Sequence, residues 1–278
     1  MAVRVVTDSA ADLTTAEAAE FGIRVVPLSI RFGSEEFVDR EDLTPAEFYA
    51  RCAASSVLPE TAAPSPGAFE AAFRSAFDDD GADTVICINI SSGLSATMAS
   101  AQNAARALEG RDVRVIDSRS ITWGLGSQVV AAARAAADGT SADEIVAMVD
   151  DMIGRTRVYG ALDTLDNLKK GGRVGGAQAL IGSLLSIKPL ISIMGAVEEA
   201  GRARTRSKAL KAMVDKVRDA GPVENVGVMH GSAPDIEEFL TLMSEVVPRD
   251  QIHTGEIGAT IGVHGGPRVM GVTFQVKA

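Results

Sequence analysis

Residues 84–97 read TVICINISSGLSAT and contain the transition that decides the fold class. The first half, Thr84–Ile90, is mostly β-branched and apolar. A strand of this kind is buried on both faces, as in a parallel sheet that helices cover on each side. The second half is a hydroxyl-rich loop that leads into an Ala-rich helical stretch. Strand, loop and helix in this order predict an α/β protein.

Short apolar runs alternate with helical stretches on both sides of this segment. Ser or Thr followed three residues later by Glu predicts helices after Thr14, Thr44 and Ser141, and Ser65-Pro66 opens another. We predict two α/β domains with mainly parallel sheets, residues 1–156 and 157–278. The other candidate strands are Arg4–Thr7, Arg24–Ile30, Val113–Asp117, Val158–Leu162, Pro189–Ile193, Val226–His230, Ile252–Ile257 and Val269–Val276.

The composition argues against several classes of function. Of the 278 residues, 46% are hydrophobic, which is enough for a substantial core and argues against disorder. The formal net charge of -10 argues against general nucleic-acid binding and against adsorption to an anionic membrane. We see no signal segment and no run of bilayer-spanning length, so we expect a cytoplasmic protein without stable membrane insertion.

Polar loops after strands are the first candidates for a site, because ligands of open parallel sheets bind beyond the carboxyl ends of the strands. Residues 7–13 read TDSAADL, and we interpret their short polar side chains as a helix cap and turn. Residues 91–97 carry four hydroxyl groups, whereas a simple helix cap needs one. Hydroxyls and free amides at a helix start also bind carboxylate or phosphate, so both interpretations remain open.

Three further segments are candidates. In residues 61–67, Pro and Gly fix a loop before a helix and hold Thr61 in one orientation, although such a segment is an ordinary loop more often than a site. Residues 169–176 are basic and Gly-rich like a phosphate cradle, but they lack the Gly-Lys-Ser/Thr ending of a P-loop. The basic stretch 202–218 is a candidate docking face for an anionic partner, although a solvated helix face explains most of its lysines.

Among the histidines, His264 is the best functional candidate. It lies in the irregular segment GVHGGP at residues 262–267, whereas His230 ends a candidate strand. The spacing of His and Cys along the chain is not that of a metal site, so we predict none.

Taken together, these segments resemble the DegV family, the bacterial fatty-acid-binding proteins that serve a fatty acid kinase. The resemblance runs nearly end to end and implies two α/β domains with a long-chain fatty acid buried between them and no other cofactor. It is carried by Thr7-Asp8-Ser9, Val26-Pro27-Leu28-Ser29, Thr61 with Pro64-Ser65, residues 90–95, Asp117-Ser118, residues 165–173, Lys188-Pro189, Gly201-Arg202-x-Arg204 and residues 262–267.

The resemblance also implies roles for single residues. Thr61 and the serines Ser92 and Ser95 would lie near the fatty acid carboxylate, with His264 close by. Arg173 and Arg202 would belong to the face that meets the kinase. That kinase would phosphorylate the bound carboxylate with ATP, and the acyl-phosphate would pass to a glycerol-phosphate acyltransferase system for phospholipid synthesis. The chain itself would be a carrier without catalytic residues.

The sequence departs from the family pattern at three places. Ala62-Ala63 stand where the family usually has Ser-Gln, and Ala96 and Arg268 each replace a common glycine. The first and third changes touch the expected head-group region.

Two other functions stay open. Ser92 or Ser95 with His264 as base would give an esterase-like hydrolase, although a Gly-x-Ser-x-Gly elbow is absent. Residues 171–176 would instead hold a phosphate in a small-molecule or nucleotide sensor.

Overall fold

The computed structural model describes residues 2–180 and 187–277, and these form alternating strands and helices. The predicted α/β class is therefore confirmed. The strands are β1 (Val3–Asp8), β2 (Arg24–Val26), β3 (Ser29–Phe32), β4 (Glu35–Val38), β5 (Glu60–Ala62), β6 (Thr84–Asn89), β7 (Asp112–Asp117), β8 (Thr156–Ala161), β9 (Lys188–Ile193), β10 (Val197–Ala203), β11 (Val223–His230), β12 (His253–Glu256) and β13 (Met270–Val276).

The helices begin where the capping signals predict them. Thr14, Thr44 and Ser141 each form a capping box at the start of a helix. The Ser65 hydroxyl accepts a hydrogen bond from the Ala68 amide at the start of the helix that follows it. The helices are α1 (Thr15–Glu20), α2 (Pro45–Ala54), α3 (Pro66–Asp78), α4 (Thr97–Ala107), α5 (Thr122–Ala137), α6 (Ala142–Arg155), α7 (Asp166–Lys170), α8 (Arg206–Asp219), α9 (Ile236–Met243) and α10 (Ala259–Gly265).

A four-stranded sheet in the order β2-β1-β6-β7 is parallel throughout, as predicted. Its two faces are covered by different helices. Val6 and Val85 face a cluster that contains Phe69 and Phe73 of α3. The opposite face packs on α5 and α6. Both sides of the central strands are therefore apolar, which explains why Thr84–Asn89 is buried along its whole length.

A six-stranded sheet in the order β10-β9-β8-β13-β11-β12 corrects the expectation of mainly parallel sheets. Only β11 and β12 pair in parallel, and the other four pairs are antiparallel. The short link Met194–Ala196 between β9 and β10 explains part of this, because a hairpin joins antiparallel strands whereas parallel strands need a long crossover. Strand β10 is missing from the sequence prediction.

A three-stranded antiparallel sheet in the order β4-β3-β5 also differs from the expectation. The candidate strand Arg24–Ile30 is split into β2 and β3, with Pro27 in the break, where its missing amide hydrogen cannot join a ladder. Thr61, expected in a loop, lies in β5 and pairs with Ile30.

Helix α5 lies between the two larger sheets, in contact with β1 on one side and with β8, β11 and β13 on the other. Two glycines permit this close approach. A side chain at Gly124 would collide with Val158 of β8, and one at Gly126 would collide with the Ala11 carbonyl after β1. The Gly-Leu-Gly sequence that resembles part of a dinucleotide fingerprint thus serves helix packing.

The chain changes sheets at Arg155–Thr156, where α6 ends and β8 begins. The division into domains at residues 156 and 157 stays a prediction, since the largest hydrophobic cluster holds residues from both parts, among them Ile86, Ile88, Val158 and Ile191. Within the described residues, no helix has both the length and the apolar character that a membrane crossing requires.

Candidate functional site

Thr61 and His264 meet although 203 positions separate them in the sequence. Thr61 is the middle residue of β5, and His264 lies in the last turn of α10. The Thr61 Oγ1 and His264 Nε2 atoms are 3.1 Å apart, and both side chains are partly buried. The structure therefore brings together two of the predicted head-group residues.

Burial determines the charge of His264. Loss of hydration, aided by the positive charge of Arg173, lowers the pKa of this imidazole from 6.5 to about 4. The ring is therefore neutral at neutral pH and offers one N–H donor. Its Nδ1 has no hydrogen-bond partner among the described residues, and the ring lies so close to Gly171 that any side chain there would overlap it.

Arg173 connects the Gly-rich loop to the serine loop. Its guanidinium donates hydrogen bonds to the Gly171 carbonyl at 2.6 Å and to the Leu94 carbonyl at 3.2 Å. Ser95 follows in the same loop, with its hydroxyl 2.8 Å from that of Thr97. Arg173 thus links the loop that holds Leu94 and Ser95 to the loop that holds Gly171.

These four side chains lie at a cavity of about 800 Å³, counted with its mouth. The rest of its wall is mostly aliphatic, with Thr122, Tyr159 and Thr260 as its other hydroxyl-bearing residues, and comes from both parts of the chain. Its apolar lining includes Leu28, Ile90, Leu94, Ile121, Val158, Leu162, Leu168, Ile191, Ile193, Val197, Ile257, Ile261 and Val269. A cavity of this size and lining suits a largely apolar small molecule with one polar end.

Two of the predicted residues do not lie at this cavity. The Ser92 hydroxyl donates to the Asp117 carboxylate, and the residue is exposed. Arg202 is exposed on β10, where it pairs with Pro189 of β9. The sequence pattern places Ser92 in the loop whose Leu94 and Ser95 line the cavity, but it cannot show which way the Ser92 side chain points.

A buried polar cluster holds the start of α10, and sequence reasoning found only part of it. We name Ser9, Asp12, Asp39, Arg40 and Thr260 the anchor cluster. The Asp39 carboxylate accepts hydrogen bonds from the Ser9 hydroxyl at 2.8 Å and from the Thr260 hydroxyl at 2.5 Å.

The rest of the anchor cluster is an ion pair at the helix terminus. The Asp12 carboxylate accepts from the Arg40 guanidinium at 2.7 Å and from the Gly258 amide at 2.9 Å. Burial raises the pKa of Asp12 to about 6, and the charge of Arg40 opposes this shift. Residues 7–13 therefore do more than form the expected cap and turn, because they also fix the helix that carries His264.

The basic Gly-rich loop packs against protein groups instead of forming an open cradle. Any side chain at Gly175 would overlap the Val197 carbonyl, and any at Gly176 would overlap the Glu198 carboxylate. A carboxylate against this loop disfavours phosphate at the same place. Within residues 2–180 and 187–277, no group of three His, Cys, Asp or Glu side chains is arranged to hold a metal ion.

The chain is similar to known proteins over its whole length. A family model described as "Uncharacterised protein, DegV family" matches residues 2–277. A DegV domain-containing protein of Deinococcus radiodurans is 35% identical, and one of Listeria monocytogenes is 33% identical, each over 99% of both chains.

The fold is also similar to solved structures over almost the whole length of the chain. A Thermus thermophilus structure described as fatty acid binding of a DegV family protein has a TM-score of 0.92 at 32% identity and covers 100% of both chains. A fatty acid binding protein from Bacillus subtilis has a TM-score of 0.88 at 28% identity, also over 100% of both chains. A stearic-acid-binding protein from Eubacterium ventriosum has a TM-score of 0.88 at 26% identity, over 99% of this chain and 98% of that one.

Proposed function

Since this chain belongs to the DegV family, we propose that it binds a long-chain fatty acid in the aliphatic cavity and presents the carboxylate to an ATP-dependent fatty acid kinase. The observation that carries the proposal is the cavity itself, whose wall is mostly aliphatic and also includes Thr61, Ser95, Arg173 and His264. The relatives described as binding fatty acids support it.

The acyl chain supplies the affinity. Each methylene that leaves water contributes roughly 0.8 kcal/mol. A chain of many methylenes therefore outweighs the head group, although ordering the ligand offsets a large part of the gain. Among the described residues, no charged side chain other than Arg173 lines the cavity, and the hydroxyl of Thr260 in its wall is already bonded to Asp39.

The polar end suits a carboxylate that must still react. Hydroxyl donors from Thr61 and Ser95 and the neutral His264 ring stabilise the anion without a buried full positive charge. Arg173 adds a solvent-exposed charge close by. One carboxylate oxygen thus remains nucleophilic enough to accept a phosphoryl group.

The chemical step belongs to the kinase. A carboxylate oxygen attacks the γ-phosphorus of ATP, the bond from that phosphorus to the bridging oxygen breaks, and ADP leaves. The product is an acyl-phosphate, which we propose passes to a glycerol-phosphate acyltransferase system. Because the kinase uses ATP, we place the carrier in the cytoplasm. Arg173 and Arg202, both exposed, supply positive charge for docking the kinase.

The hydrolase and sensor alternatives have less support. A Ser/His hydrolase needs a group that orients the histidine, and His264 Nδ1 has no partner among the described residues. A phosphate sensor at residues 171–176 would place its ligand against Glu198. We therefore expect no turnover by the isolated chain.

The test is native mass spectrometry of the purified protein, followed by organic extraction of whatever it carries. We expect one equivalent of a long-chain fatty acid. A protein that is empty and also fails to take up added oleate or palmitate contradicts the proposal. Addition of the kinase and ATP to the loaded protein then tests the second step, by the appearance of acyl-phosphate.

A further inference from the structure

A second cavity adjoins the first at its polar end. It has about 740 Å³, counted with its opening, and we name it the vestibule. Thr61, Arg173 and His264 line both cavities, so these three side chains form a shared wall. The vestibule is otherwise walled by Leu58, Pro59, Glu60, Asn167, Lys170 and Gly171 with Val263.

The charges of the vestibule favour an anion. Lys170 and Arg173 are exposed, and no carboxylate in the described part of the chain forms an ion pair with either. The one acidic side chain in the wall, Glu60, is paired with Arg31 on the adjacent strand at 2.5 Å. Two cations without a counter-ion and a neutralised acid leave a local excess of positive charge.

The shared wall fixes where a modified head group goes. With the acyl chain in the aliphatic cavity, the carboxylate lies against Thr61 and His264. A phosphoryl group joined to that carboxylate extends away from the acyl chain. It projects across the shared wall into the vestibule.

From this arrangement, and resting on the proposed function, we propose that the vestibule is an anion subsite for the phosphoryl group of a long-chain acyl phosphate, with Lys170 as its cation. The carrier then holds its product by a contact that the fatty acid does not make. A dianionic phosphate gains from Lys170, whereas a carboxylate on the far side of the shared wall gains little.

The experiment compares two ligands of equal chain length on the delipidated full-length protein. Hexadecanoate carries a carboxylate, and hexadecyl phosphate carries a hydrolytically stable phosphate head group. We expect Lys170→Ala to lower the affinity for hexadecyl phosphate relative to hexadecanoate by about fivefold, the size of one solvated ion pair. The neighbouring exposed Lys169 does not line the vestibule, and Lys169→Ala should leave this ratio unchanged.

The outcomes separate the inference from the proposed function. Hexadecanoate binding to wild type, with the same affinity ratio in Lys170→Ala as in wild type, overturns the subsite and leaves the carrier intact. An equal shift in Lys169→Ala also overturns it, because the effect then comes from overall charge. Failure of hexadecanoate to bind at all contradicts the proposed function itself.

Discussion

The two ends of α10 contact two polar clusters that differ in burial and in whether they line a ligand-sized cavity. At the N-terminal end, Asp12 and Asp39 each accept two hydrogen bonds from other buried or partly buried groups. At the C-terminal end, His264 has one partner, the Thr61 hydroxyl, within the described residues. A buried polar group costs free energy unless it is paired. Asp12 Oδ2, Asp39 Oδ1 and Arg40 Nε also lack partners among the described residues. However, Asp12 and Asp39 are buried and are bonded only to protein groups, whereas Thr61 and His264 line two cavities. The difference indicates that the anchor cluster maintains the fold, while the Thr61–His264 end is open to a ligand.

Removal of Asp39 should have the largest effect. Asp39→Ala leaves the Ser9 and Thr260 hydroxyls buried without their acceptor, so we expect the free energy of unfolding to fall by about 3 kcal/mol. Urea unfolding measures this loss. The exposed neighbour Glu41 provides the control, since Glu41→Ala should change stability little. Equal stability of the two variants would show that the anchor cluster does not hold α10.

Removal of His264 should affect binding instead of folding. We expect His264→Ala to weaken hexadecanoate binding by about thirtyfold, the value of one hydrogen bond to a charged group, with little change in unfolding. Titration calorimetry measures the affinity. Methyl hexadecanoate, which has no charge, serves as the matched ligand and should bind wild type and variant alike. A variant that loses both ligands equally would place the carboxylate elsewhere.

The pKa of His264 provides a second test for a carboxylate at the C-terminal end of α10. The unfolded chain takes up this proton near pH 6.5 and the free folded protein near pH 4, so the unfolding free energy falls as pH decreases through this window. Bound carboxylate should raise the pKa of His264, because a nearby anion favours the charged ring. NMR titration with and without hexadecanoate measures both values. An unchanged pKa in the loaded protein would contradict a carboxylate at Thr61 and His264.

Arg202 should have the smallest effect on the fatty acid. It lies at neither cavity, so Arg202→Ala should leave hexadecanoate affinity unchanged and slow phosphorylation by the kinase. Arg173→Ala, which alters the shared wall, should lower the hexadecanoate affinity and also slow phosphorylation. Loss of fatty acid in Arg202→Ala would remove the distinction between a docking residue and a head-group residue.

Local signals in the sequence predicted much of the fold. The capping boxes at Thr14, Thr44 and Ser141 start helices because their hydrogen bonds lie within four residues. Strand β10 was missed since Glu198, Glu199 and Gly201 break any apolar alternation. The strand forms through its antiparallel pairing with β9, which the sequence pattern does not show.

The site was less accessible to sequence reasoning. Local patterns singled out the segments that hold Thr61, Ser95 and His264, the family resemblance gave these residues a shared role, and the structure places them at one cavity. Asp39 was missed because it lies 30 positions from Ser9 and 221 from Thr260, and nothing around it marks it as buried. Contacts across such separations depend on the whole fold.

The position of β13 has a consequence for the order of events during synthesis. This strand is made after β8–β12, yet it lies between β8 and β11 in the sheet. Before residues 270–276 leave the ribosome, β10-β9-β8 and β11-β12 have no strand to join them. The partly made chain therefore exposes two unpaired strand edges, those of β8 and β11. Pairings between distant segments also form slowly, which lengthens this exposure. A nascent chain stalled before β13 should therefore be a target for chaperones and proteases.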